Sequence, residues 1–75
     1  MREEPYKDFA AAIVAQAAKD YRAALCELKR DPYSWKAWNM KQDAEKFFRS
    51  DWMVELTGLD GRLLIRKIRE DVKYI

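Results

Sequence analysis

The chain is predicted to be all-α, a compact bundle of three to four helices with a long, self-associating first helix. Three observations predict this class. Apolar residues step by three and four along three separate segments. No segment alternates apolar and polar residues with the period of a strand. The prolines and glycines (Pro5, Pro32, Gly58, Gly61) fall where helices would start, stop or turn. The 75 residues form a single helical domain, with helices expected at about 5–30, 32–49, 51–57 and 61–73.

The first helix opens at Pro5, whose missing N–H costs nothing in a first turn, with Glu3 and Glu4 complementing the helix dipole. Tyr6, Phe9, Ile13, Ala17, Tyr21, Ala24 and Leu28 make its apolar stripe, widened by Ala10, Val14, Ala18 and Leu25. Lys29 and Arg30 suit its C-terminal end, and Asp31-Pro32 stops it. About 25 residues at ~1.5 Å each give a rod of roughly 37 Å. A folded chain of this size is only about 30 Å across. The helix therefore overhangs its own domain. Ala10, Ala11, Ala12, Ala15, Ala17, Ala18, Ala23 and Ala24 would let a second helix approach closely, so this helix is the expected oligomer seam. Alanine as a plain helix former on a solvated face explains the same residues.

The second helix has two candidate N-caps, Asp31 and Ser34, and an apolar face of Ala37, Met40, Ala44, Phe47 and Phe48. Trp35 and Trp38 lie off the centre of that face. Ser50 caps a short third helix, with Asp51 in its first turn and Gly58 closing it. Asp60 caps the last helix, Leu59 can staple onto Leu64, and Leu64, Ile65, Ile68, Val72 and Ile75 form its buried stripe.

A domain this small buries only about 60% of its unfolded surface and needs support. One cysteine, Cys26, excludes an internal disulfide, and the absence of histidine argues against a zinc site. Oligomerisation or good helix packing remains. Hydrophobic residues at 49% and aromatics at 13% exclude a disordered chain. The charged start and an apolar run broken by Gln16 give neither a targeting signal nor a membrane span. A cytoplasmic protein with no membrane partner is expected.

Catalysis has few means here. There is no histidine for proton transfer, Cys26 has no base pattern near it, Ser34 and Ser50 serve as caps, and no glycine-rich phosphate loop exists. No enzyme, no metal and no cofactor are expected.

Net charge is +2, but its distribution is uneven. Residues 1–61 carry 10 basic and 11 acidic groups, whereas residues 62–75 carry 5 and 2. Arg62, Arg66, Arg69 and Lys73 recur at i, i+4, i+7 and i+11, with Lys67 beside them. They are the candidate phosphate-binding residues, since arginine forks grip phosphate with two parallel hydrogen bonds. An ordinary solvated face, partly neutralised by Glu70, is the competing account.

The aromatics concentrate in the middle third, and most are expected in the core. A surplus tryptophan among Trp35, Trp38 and Trp52 would stack on a base or anchor a partner. Residues 52–73 also fit a helix-turn-helix, although a nearly neutral chain without base-reading Asn or Gln in its last helix places duplex DNA behind other partners.

Phe47-Phe48-Arg49-Ser50-Asp51-Trp52, then Leu56-Thr57-Gly58-Leu59-Asp60-Gly61 and Leu64-Ile65-Arg66-Lys67, resemble small helical proteins encoded by phages and prophages of Gram-positive bacteria, especially gut Firmicutes. The similarity spans roughly residues 20–70. It implies a viral accessory protein acting in the bacterial cytoplasm against host defence. Its partner would be a nucleotide signal held between subunits or a host defence protein. It assigns no role to any residue.

Overall fold

The computed structural model describes the backbone of residues 5–74 and the side chains of residues 11–55 and 57–74. Four helices follow in order: α1 (Pro5–Arg30), α2 (Trp35–Phe48), α3 (Asp51–Thr57) and α4 (Gly61–Val72). Among the described residues there is no strand. The molecule measures 47 × 20 × 19 Å, longer than a compact globule of its length. The 26 residues of α1 account for this. Its first buried described side chain is Val14.

Local chemistry sets each boundary. Asp31 accepts the Tyr33 N–H at 3.1 Å and holds the connecting turn. Ser34 sits in extended backbone and accepts the Ala37 N–H, so Ser34 is the N-cap and α2 starts at Trp35, three residues later than expected. The expected C-terminal residue, Arg49, is the C-cap. Ser50 caps α3 by accepting from Met53, and Gly58 ends it at φ 71° with its N–H on the Val54 carbonyl. Asp60 caps α4 through the Arg62 N–H at 3.0 Å.

The far end of α4 differs from expectation. Lys73 adopts the left-handed conformation (φ 58°, ψ 42°), and the Tyr74 N–H turns back onto the Arg69 carbonyl at 2.9 Å. The helix thus closes at Val72, and Lys73 leaves the helical phase that would have aligned it with Arg62 and Arg66. Ile75 lies outside the described residues.

α1 and α2 form an antiparallel hairpin, and α4 returns along both. Tyr21, Leu25, Phe48 and Met53 are fully buried at the centre, with Val14, Ala44, Ile65, Ile68 and Val72 around them. Tyr21 and Phe48 meet edge to face, ring centres 5.9 Å apart. Arg22 pairs with Asp71 at 3.0 Å, and the Lys29 ammonium donates to the Val72 carbonyl at 2.6 Å. These contacts set the C-terminal ends of α1 and α4 side by side. At the other end, α4 begins hard against α2: a Cβ on Gly61 would lie 1.7 Å from the Phe48 carbonyl oxygen. Only glycine allows this approach.

Leu59 and Leu64 lie together on the surface. Leu59 is half-exposed and shares a shallow hollow with Leu63 and Leu64 on the outside of α4.

Candidate functional site

The side of α2 that faces α4 carries a polar cluster organised by one buried carboxylate. Glu45 Oε2 accepts the Tyr21 hydroxyl at 2.6 Å and the Arg69 guanidinium at 2.7 Å, with the Lys41 ammonium at 3.2 Å. Arg69 Nε also donates to the Tyr21 hydroxyl at 2.9 Å. Arg49 lies 3.6 Å from the other oxygen, Oε1. Helical spacing puts Lys41 and Glu45 here, one and two turns after Ala37 and level with Ala44 and Phe48. Both side chains are buried.

Electrostatics favour the charged carboxylate. Burial alone would push the Glu45 carboxyl up, but the hydrogen bonds from Tyr21, Arg69 and Lys41 outweigh burial and hold it at about 2, against an ordinary 4.5. Burial, with the hydrogen bond to Glu45, pushes the Tyr21 hydroxyl up from 10.0 to about 12, against the opposing pull of Arg69. The hydrogen bonds to Tyr21 and Glu45 push Arg69 up in turn. Each shift has a definite sign in stability. Glu45 contributes fully above its unfolded value near 4.5, and that contribution is lost as pH falls toward 2. Tyr21 contributes fully below 10.0 and loses its share as pH rises toward 12. Urea titrations across pH should show both flanks, and Tyr21→Phe should remove the alkaline one. An unchanged alkaline flank in that variant would contradict the Tyr21 assignment.

The candidate phosphate residues divide. Arg62 and Arg66 are exposed on the outer part of α4. Arg69 is occupied within the cluster, and its guanidinium also packs over the Tyr74 ring at 5.5 Å. Lys73 is exposed but sits on the left-handed cap, off the helical row. Of the four-cation row, two arginines, Arg62 and Arg66, stand exposed on the helical face of α4. Arg49 lies at the neighbouring end of α2, mostly exposed and loosely paired.

The expectation that most aromatics are core needs correction. Trp35 is 74% exposed, Trp38 43%, Trp52 42% and Tyr33 93%. Trp52 packs partly on Phe47, ring centres 5.4 Å apart. Trp38 lies over the Lys41 ammonium at 4.8 Å. Tyr33 and Trp35 make no such contact, and they flank the Ser34 cap at one end of the bundle. The position of Trp35 and Trp38 off the apolar stripe already pointed outward. The bulk of the rings outweighed that signal.

Tyr21, Lys41 and Glu45 were missed as site residues. The i, i+4 pairing of Lys41 with Glu45, in phase with Ala37, was the available signal. Among the described residues there is no group of three metal-binding side chains, and no helix is long and apolar enough to cross a membrane. Cys26 is exposed on α1.

No family model matches the chain, and neither a curated protein nor a solved structure matches it. The resemblance drawn from the sequence over roughly residues 20–70 therefore rests on the sequence alone.

Proposed function

We propose that the chain is a non-enzymatic binding protein that docks on a partner protein through the exposed aromatics around Trp35. The observation that carries this reading is the exposure of Tyr33 and Trp35 on either side of a fixed helix cap. Large rings with only two side-chain torsions lose little entropy on docking, which is one reason Trp and Tyr dominate binding hot spots. In this reading the protein is a phage accessory factor in the bacterial cytoplasm, and its partner is a component of host defence. The resemblance over roughly residues 20–70 supports that setting.

Trp35→Ala should change folding stability by less than about 0.5 kcal/mol, because the ring packs on little. It should weaken partner binding by about 2 kcal/mol, roughly thirty-fold. Tagged wild type and variant, recovered from a Gram-positive host, test this through the proteins that co-purify with each. Equal recovery of every partner by both would overturn the reading.

A second reading keeps the nucleotide ligand. Three cations surround Glu45, and Arg62 and Arg66 are exposed nearby on α4, so this side of the molecule has surplus positive charge. A nucleotide bound there would use Arg62, Arg66 and Arg49 on phosphate and Trp38 on the base. Charge reversal at Arg62 and Arg66 should then abolish nucleotide binding while partner capture through Trp35 persists. Duplex DNA ranks behind both, since Arg69 is committed to Glu45.

Self-association through α1 belongs to the same proposal. Ala11, Ala12 and Ala15 are exposed beside a half-buried Ile13 near the end of the body. Such a surface suits close approach of a second helix.

A further inference from the structure

The side of α2 turned away from α4 forms, with α1, a groove that no part of the described chain fills. Two adjoining hollows of 270 and 320 Å³ share Met40 as a common wall. Buried Ala24, Ala37 and Ala44, with half-buried Ala17, leave the groove floor shallow and smooth. Its rim is acidic, carrying Asp20, Glu27 and Asp43 against one cation, Lys36. Among the described residues Asp20 accepts a neutral Gln16 amide at 3.0 Å, while Glu27 pairs with Arg30.

The outer face of α4 is the complement. Leu59 and Leu63, four residues apart, are both half-exposed, and exposed Arg62, Arg66 and Lys67 flank them. The ridge is a pair of leucine knobs bordered by cations, and the groove is a run of alanine holes bordered by carboxylates. The two surfaces lie on opposite sides of one molecule, so they cannot meet within it.

We infer that the groove between α1 and α2 receives the Leu59–Leu63 ridge of a second copy of this chain. The inference rests on the self-association reading and sharpens it, because α1 supplies one wall. Joining two different patches makes the contact head-to-tail, so assembly continues from copy to copy instead of stopping at a symmetric pair. Charge pairing at the rim makes assembly weaker in high salt.

Two variants of exposed residues test it by sedimentation velocity, with circular dichroism confirming their fold. Leu63→Asp disables the ridge, and Asp20→Lys with Asp43→Lys disables the groove. The wild type should assemble into species larger than a dimer as concentration rises. Each variant alone should remain monomeric at a concentration at least about ten-fold higher. An equimolar mixture should form a dimer and nothing larger, because only one intact junction is available. Variants that assemble like the wild type would overturn the inference. A wild-type dimer that the mixture fails to reproduce would also overturn it, while leaving a symmetric α1 seam standing. A wild type that is monomeric throughout would overturn both.

Discussion

Glu45→Ala is expected to cost about 3–5 kcal/mol, the range for removing one member of a buried ion pair. The loss has a specific origin. Lys41 would remain buried beside Trp38 with no counter-charge, and the Tyr21 hydroxyl would lose its acceptor. Arg69 is better placed, being partly exposed and able to turn toward water. A small domain has a total stability near the low end of about 5–15 kcal/mol, so the variant should keep at most about 2 kcal/mol and unfold at low urea. Removing the demand together with the supply should restore most of it: Lys41→Met combined with Glu45→Met should fold, since apolar replacement of a buried pair is often neutral or better. Far-ultraviolet circular dichroism through a urea titration checks both. A single variant as stable as the wild type would mean that Glu45 is not the organiser of the α1–α2–α4 junction.

The second large effect comes from a methyl group. Gly61→Ala should destabilise by about 3 kcal/mol, at the upper end for overpacking, although alanine is the better helix former by about 1 kcal/mol. The added Cβ would lie 1.7 Å from the Phe48 carbonyl oxygen and 2.6 Å from its carbon, and backbone cannot swing aside as a side chain can. Relief requires α4 to slide from α2, which would also stretch the Arg69–Glu45 contact. Gly58→Ala is the control. That position has open space around it but a φ of 71°, so its cost should be only about 1 kcal/mol. Urea midpoints should therefore rank wild type above Gly58→Ala, and Gly58→Ala above Gly61→Ala. The reverse order would show that the close approach of α2 and α4 does not hold the fold.

The sequence was most legible where local rules decide. Ser50 and Asp60 open their helices and Gly58 closes one, as their side chains and backbone freedom require, and the length of α1 followed from its periodicity. Where distant residues decide, it was less so. Lys41 and Glu45 read as surface charges until Tyr21 and Arg69, both more than twenty residues from Glu45, close around them. Arg69 shares a helical face with Arg62 and Arg66, yet its place nearest the α2 side of α4 turns it inward. The exposed tryptophans mark the same limit: spacing shows that a ring leaves the stripe, while only packing shows that nothing else covers it.

In the proposed function the working surface is the Trp35 end of α2. A photoreactive amino acid placed at Trp35 or at Tyr33, compared with one at Arg62, tests this directly in a bacterial lysate. The account predicts a discrete protein adduct from positions 33 and 35 that excess nucleotide does not displace. Adducts only at position 62, to nucleotide and to no protein, would contradict it.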